Sequence, residues 1–304
     1  MITLELNINS KNLIDDELVA CIGYFDGLHL GHRKLITKTL EYAKQLNKKS
    51  ALISFKNNPK EVVLKNKIKQ IQSLNQRSTM LKDLGFDYFI TIDFNQPMMN
   101  LTVEQFHQLL KDNFSITKII CGFDFNYAKN GLGNHLSLEN AFDVEVISSI
   151  NYHNQKISTT LIKKFLACGD VITVNKLLGY QYQITSKVVL GRQLGRSIGI
   201  PTANLEIDHN LFYLKNGVYA AMVDIDGTIY KSVVNIGYNP TVSSDDILKI
   251  EVHLIGFDGD LYDRELRVDF IKRIRDELKF NSLIELKRQL LKDIEEINNE
   301  AIIL

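Results

Sequence analysis

The chain has 304 residues, 45% hydrophobic and 24% charged, with 36 Lys+Arg set against 36 Asp+Glu. That balance excludes a global field drawing it to nucleic acid or an anionic membrane, and no run of about 18 apolar residues offers a spanning helix. The length predicts two domains, each able to bury its own core.

Met1-Ile2-Thr3-Leu4-Glu5-Leu6 lacks the basic segment and apolar run of a signal peptide, so a cytoplasmic location is expected. Cys21, Cys121 and Cys168 are odd in number and far apart, and are read as reduced, mostly buried thiols.

Residues 19–22 form a short apolar run ended by Gly23, and 33–46 carry Leu35, Ile36, Leu40 and Ala43 at helical spacing. A second strand follows at 51–55. Ser73 and Gln76 have the spacing of a capping box that opens a helix through Leu84, closed by Gly85. Residues 88–92 read as a strand, 102–110 as a helix with Gln105 at the box position, and 117–121 and 144–147 as strands. Further helices are expected from Ser158 and from Asp170. Strands alternating with helices predict a parallel sheet covered on both faces, with ligands at the carboxyl ends of its strands.

Gly23-Tyr24-Phe25-Asp26-Gly27-Leu28-His29-Leu30-Gly31-His32 joins the first of these strands to the first long helix. A lone His-x-x-His is most often solvated or capping. At a helix start, where backbone N–H groups already favour an anion, two imidazoles three apart can donate to nucleotide phosphates, and Gly31 admits close approach.

After Leu178 the helical periodicity gives way to short β-like runs, which places the boundary at 179/180 with no low-complexity linker. Strands are expected at 182–190, 219–224, 230–235, 247–256 and 266–270, with turns at Asp226-Gly227 and Asp258-Gly259-Asp260, making a small closed barrel. Ser282 with Glu285 predicts a capping box, and Leu286, Leu290, Ile294 and Ile297 a final helix lying on the barrel.

Within this half, Gly191-Arg192-Gln193-Leu194-Gly195-Arg196-Ser197-Ile198-Gly199-Ile200-Pro201-Thr202-Ala203-Asn204 has the composition of a phosphate-binding loop. Glycine lets backbone N–H groups approach an anion, and arginine adds fixed charge. Beyond Pro201, Thr202 and Asn204 lie two apart on one face of an extended segment, and their oxygens are hard ligands suited to Mg²⁺. In 249–254 the alternation buries Ile250, Val252 and Leu254 and sends Glu251 to the opposite face.

The Gly-x-Pro-Thr-Ala-Asn run resembles the riboflavin kinase signature. Asn235-Ile236-Gly237-Tyr238-Asn239-Pro240-Thr241, Glu251-Val252-His253-Leu254, Phe257-Asp258-Gly259-Asp260-Leu261-Tyr262 and Arg275-Asp276-Glu277 follow in that family's order. Phe25-Asp26-Gly27-Leu28-His29 with Gly31-His32 resembles the His-x-Gly-His nucleotidyltransferases. Together they cover essentially the whole chain and resemble the prokaryotic bifunctional riboflavin kinase/FMN adenylyltransferase family, also called FAD synthetase.

The resemblance implies a Rossmann-like α/β adenylyltransferase domain over 1–179 and a small β-barrel riboflavin kinase domain with a C-terminal helix over 180–304. The implied reactions are phosphorylation of riboflavin to FMN and adenylylation of FMN to FAD, with ATP as co-substrate and Mg²⁺ as cofactor. In the first domain it implies that Phe25, Asp26, Gly27, His29 and His32 line the ATP site, with Asp124, Ser158 and Thr159 nearby. In the second it implies that Glu251 is the general base on the riboflavin hydroxyl. Thr202 and Asn204 would hold the metal, Gly191, Gly195, Arg196 and Gly199 the phosphates, and Arg275 would close over the flavin.

Three stretches depart from the family pattern. Phe55-Lys56-Asn57-Asn58-Pro59 stands for Phe-Asp-Pro-His-Pro, Asp124-Phe125-Asn126-Tyr127-Ala128 for Asp-Phe-Arg-Phe-Gly, and Ser158-Thr159-Thr160-Leu161-Ile162-Lys163 for Ser-Ser-Thr-Arg-Ile-Arg. Two lost charged hydrogen bonds at roughly 1.5–3 kcal/mol each amount to about 10² to 10⁴ in rate, with Lys129, Lys156 or Lys164 as partial replacements. Asp263 stands where the family often has Gly. The alternative reading is therefore a riboflavin kinase whose N-terminal domain is weak, silent or regulatory. A non-catalytic flavin sensor leaves Thr202, Asn204 and Glu251 without a use, and a cytidylyltransferase leaves the C-terminal half without one.

Overall fold

The computed structural model describes residues 1–191, 194–239 and 247–299. Cα packing divides the chain into two compact units, Met1–Thr159 and Thr160–Leu304.

In the first unit β1 (Ile2–Leu6), β2 (Ile14–Ile22), β3 (Lys49–Phe55), β4 (Tyr88–Ile92), β5 (Phe114–Gly122) and β6 (Val144–Ile147) form one parallel sheet in the order β1-β4-β3-β2-β5-β6. Between them run α1 (Leu30–Leu46), α2 (Pro59–Leu64), α3 (Leu74–Asp83), α4 (Gln96–Met99), α5 (Val103–Asn113) and α6 (His135–Glu139). A two-residue hairpin, β7 (Asn151–Tyr152) and β8 (Gln155–Lys156), follows β6.

The central strands read as unbroken apolar runs because both faces are covered. Ala20, Ile22, Ile53 and Ile90 pack with Phe106, Leu109 and Leu110 of α5, while α1 buries Leu35, Ile36, Thr39 and Ala43 and packs on β2 and β3. Chain order reverses at β2, between β3 and β5, so the loops after β2 and β5 share the crevice where such sheets bind ligands.

Both expected boxes of this unit are formed, Ser73 with Gln76 and Thr102 with Gln105. Strand β1 was not expected. It alternates along a sheet edge and buries only Leu6, so its local signal is weak.

The second unit contains α7 (Thr159–Cys168, less its first residue), α8 (Val171–Leu178) and a closed barrel. The barrel strands are β9 (Gln183–Val189), β10 (Ala203–Leu205), β11 (Gly217–Ile225), β12 (Thr228–Asn239), β13 (Ile247–Leu254) and β14 (Glu265–Arg275), in the order β10-β13-β12-β11-β14-β9. A one-turn helix, α9 (Leu194–Ser197), interrupts the Gly-rich loop, and α10 (Leu283–Asn299) lies on the barrel.

Closure leaves the six strands no free edge. Ala203, Val252 and Val234 stand in one buried row across three strands, and Leu205, Ile250 and Ile236 in another. On the opposite face Val218, Ala220 and Val233 pack against Ile294 and Ile297 of α10. At the start of α10, Ser282 Oγ accepts from the Glu285 amide, but the Glu285 carboxylate takes the Asn281 amide, so only half of the expected box forms. The Asp226-Gly227 turn is present with both residues at positive φ. Asp263 adopts φ 62 where the family often has Gly, and it pairs with Lys187 at 2.9 Å. Asp tolerates the left-handed region better than most side chains.

Candidate active sites

The loop after β2 turns sharply, with Phe25 at φ 55, Gly27 at φ 80 and Leu28 at φ 36. Left-handed non-glycine residues cost roughly 1–3 kcal/mol each and persist where the surroundings over-determine them. Phe25, Asp26 and Leu28 are fully buried here. Asp26 Oδ1 accepts from the amides of Ile71 (2.9 Å) and Gln72 (3.2 Å), and its carbonyl accepts from Thr159 Oγ1 (3.1 Å). Asp26 thus braces the loop, and Thr159 and the adjacent Ser158 are brought beside it.

His29 caps α1, its Nδ1 accepting from the His32 amide at 3.3 Å. The two imidazoles stack at 3.7 Å between centroids with an interplanar angle of 16°. A Cβ on Gly31 would stand 3.1 Å from His29 Cε1, so the small residue of His-x-Gly-His makes room for the ring as well as for an incoming ligand. Burial, then the nearby Lys156 charge, pushes His29 down to about 4. Burial, then His29, Arg77 and Lys156, holds His32 well below the usual imidazole range. Both rings are neutral at pH 7, and because His29 Nδ1 is an acceptor its proton sits on Nε2, which can donate.

Asp124 follows β5 and forms an ion pair with Lys156 of β8. Both act electrostatically on His29, so the loops after β2 and β5 and the β7–β8 hairpin converge.

The departures have local explanations. Asn57 exchanges two hydrogen bonds with the backbone of Phe94 (2.8 and 3.1 Å), and Asn58 caps α2. Tyr127 Oη bridges His107 Nε2 (2.6 Å) and Ser137 Oγ (2.9 Å). Ala128, standing for Gly, holds φ 62 and ψ −177, a region almost reserved for glycine.

In the barrel, Glu251 is directly opposite Asn204 on one side and Asn235 on the other. Residues so paired share a face, here the outer one, while Ile250, Val252 and Leu254 are buried. The Gly-rich loop folds onto Asn204 and Thr202: a Cβ on Gly191 would stand 2.1 Å from Asn204 Nδ2, and one on Gly195 3.3 Å from Thr202 Oγ1. Thr202 and the exposed Arg196 line a cavity of about 410 Å³ whose far wall is 257–262, the Phe-Asp-Gly-Asp-Leu-Tyr segment. Asn204 and Glu251 lie outside that lining. Gly199 turns at φ 79, with Lys287 Nζ 3.9 Å from where its Cβ would be. Arg192 and the Pro240-Thr241 pair lie outside the described residues.

Arg275 is tied to α10. Its Nε and Nη2 donate to Asp293 at 2.9 and 2.7 Å, and Asp293 is buried in α10. Sequence reasoning also passed over His253, whose Nδ1 donates to the Pro201 carbonyl (2.8 Å), and the buried Arg77 beneath the histidine loop. Neither carries a signal separable from an ordinary surface residue.

A switch-point sheet with a histidine-capped helix, followed by a closed barrel with a Gly-rich loop over an Asn–Glu row, defines a nucleotide-dependent transferase with two sites. The FAD synthetase family model matches residues 11–161 and the riboflavin kinase model residues 178–301. The chain is 32% identical over 286 residues to the bifunctional riboflavin kinase/FMN adenylyltransferase of Bacillus subtilis (strain 168), covering 91% of this chain and 90% of that one. It is 33% identical over 285 residues to that of Escherichia coli (strain K12), covering 90% of each. The chain belongs to the bifunctional riboflavin kinase/FMN adenylyltransferase family. A solved Streptococcus pneumoniae structure described as a macrolide-efflux protein has the same fold, with a TM-score of 0.89 at 28% identity over 99% of this chain and 100% of that one. Among the described residues of this chain, no helix is long and apolar enough to cross a membrane.

Proposed function

We propose that the C-terminal barrel transfers the γ-phosphoryl group of ATP to the 5′-hydroxyl of riboflavin, giving FMN and ADP. The N-terminal domain then joins FMN to the adenylyl group of a second ATP, giving FAD and pyrophosphate. The functional division is taken at 179/180. Relatives described as bifunctional that match about nine-tenths of the chain support two activities over a kinase with a silent partner.

The observation that carries the kinase reading is the Asn204–Glu251–Asn235 row beside the loop that packs Gly191 on Asn204. Glu251 accepts the hydroxyl proton as the oxygen attacks, a role worth typically about 10² to 10⁴ in rate. The Thr202 hydroxyl and the Asn204 amide oxygen fit a hard cation, and Gly191 leaves the amide the space a side chain would fill. Mg²⁺ held there would neutralise charge on the terminal phosphates. Arg196 and the glycines at 191, 195 and 199 surround those phosphates, and the 410 Å³ cavity beside Thr202 accommodates the rest of the nucleotide.

In the N-terminal domain the FMN phosphate oxygen attacks the α-phosphorus of ATP and pyrophosphate leaves. His29 Nε2–H and His32 donate to the phosphate oxygens where charge accumulates. Lys156 supplies fixed charge beside them in place of the missing arginines. Phe25, Asp26, Gly27 and Thr159 keep the loop in shape, and Asp124 positions Lys156. Arg275 orders α10 through Asp293 and so shapes the flavin end of the barrel without needing to touch the flavin.

A cytoplasmic location fits three unpaired cysteines, of which Cys168 is exposed.

Incubating the pure protein with riboflavin, Mg²⁺ and ATP and separating the flavins tests the reading. FMN followed by FAD is the expected result, FMN alone supports the monofunctional alternative, and no product removes both.

A further inference from the structure

Among the described residues, the largest fully buried side chain is an arginine. Arg77 leaves α3 on its buried side, and Nη1 donates to the Tyr24 carbonyl (3.0 Å) and to Ser54 Oγ (3.1 Å), while Nη2 reaches Gln70 Oε1 (3.4 Å). Its guanidinium lies 5.4 Å from the centroid of the Tyr24 ring. Ser54, at the end of β3, itself donates to the Tyr24 carbonyl at 2.7 Å. One peptide oxygen two residues before Asp26 therefore collects a hydroxyl and a cation from two different elements. Taking a guanidinium out of water costs several kcal/mol, so a chain seeking only to satisfy that oxygen would stop at Ser54.

We propose that Arg77 is a positioning residue of the adenylyl-transfer site: it clamps the histidine loop through the Tyr24 carbonyl and sets a fixed positive charge close enough to act on His32. The inference rests on the N-terminal adenylyl-transfer reading given above. The charge has a direct consequence. Added to burial, repulsion from His29, Arg77 and Lys156 opposes a proton on His32, so the pair is kept as neutral donors and acid is resisted. Asp26 lies in the same loop, held by the Ile71 and Gln72 amides, and Asp124, paired with Lys156, acts on His29 in the opposite sense. Lys156 is exposed, and its field is screened by salt, whereas that of the buried Arg77 is screened much less.

The test uses the full-length protein with R77M and R77K. FAD formation from supplied FMN and ATP is followed between pH 5 and 8, and the His32 ring is titrated by NMR with assignment through H32N. In R77M the His32 titration and the acid limb of the rate both move to higher pH. The pH 5.5 to pH 8 rate ratio falls at least ~3-fold below that of wild type. R77K restores the wild-type limb with a reduced kcat, because the charge returns without the fork. FMN formation by the barrel is unchanged in both. An unmoved His32 titration in folded R77M overturns the proposal. Should R77M not fold, R77K carries the test, and an acid limb displaced upward in it is the overturning result. Should wild type form no FAD at all, the adenylyl-transfer reading fails, while the His32 titration still reads the Arg77 charge.

Discussion

Gly191 lies so close to the amide of Asn204 that a Cβ on it would stand 2.1 Å from Nδ2. No rotamer adjustment of a few tenths of an ångström relieves that overlap, so Gly191→Ala must displace either the loop or the amide. A misplacement of about 1 Å costs on the order of 10² in rate. FMN formation in G191A is expected to fall by about that factor while FAD formation from FMN persists. Wild-type kinase rates in G191A would show that the Asn204 amide is not needed where it stands.

Glu251 and His29 belong to different compact units, and their variants should separate the two reactions. Glu251→Gln removes FMN formation, by about 10² to 10⁴, and spares FAD formation from supplied FMN. His29→Ala has the reverse pattern. Equal loss of both activities in either variant would contradict independent sites.

Ala128 occupies a backbone region that glycine enters without strain. Ala128→Gly relieves roughly 1–3 kcal/mol of strain and gives back somewhat less than 1 kcal/mol through the freer unfolded chain. The expected outcome is a modest rise in the thermal midpoint of the N-terminal unit, read by differential scanning calorimetry. A lowered midpoint would mean that the Ala128 methyl contributes packing that outweighs the strain.

The Arg275–Asp293 fork joins β14 to α10 with Asp293 almost fully buried. Removing one partner strands the other charge, typically costing about 3–5 kcal/mol. Asp293→Ala should lower the denaturant midpoint of the C-terminal unit. If Arg275 acts by ordering α10, Arg275→Lys and Asp293→Ala raise the KM for riboflavin alike. A rise in R275K alone would point to contact between Arg275 and the flavin.

Acid stability follows from the buried imidazoles. His29 titrates near 6.5 when unfolded and at about 4 when folded, so between those values the unfolded chain binds the extra proton. The stabilising contribution is whole above pH 6.5 and is lost as the pH falls toward 4; His32 acts in the same direction. The thermal midpoint should therefore drop through this window, and less steeply in His29→Asn. An identical slope in H29N would place the acid sensitivity elsewhere.

Local patterns in the sequence expose much of this architecture. The apolar runs of β2, β3 and β4 are legible because a doubly covered strand has no polar face, and the boxes at Ser73 and Thr102 because a helix start needs its amides capped within three residues. The alternation at 249–254 already separates Glu251 from its buried neighbours. The half-formed box at Ser282 marks the limit: the spacing is right, but Glu285 found another amide within reach.

What the chain determines by itself is the set of periodicities and short-range caps, together with the two signatures that carry chemistry, because these depend on residues a few positions apart. Only the tertiary structure decides that Arg77 lies under a loop more than fifty positions earlier, that Arg275 is spoken for by Asp293, and that three strands bring Asn204, Glu251 and Asn235 level. Those relationships are set by strand register and by which side of a helix is covered, and neither is encoded by any one segment read alone.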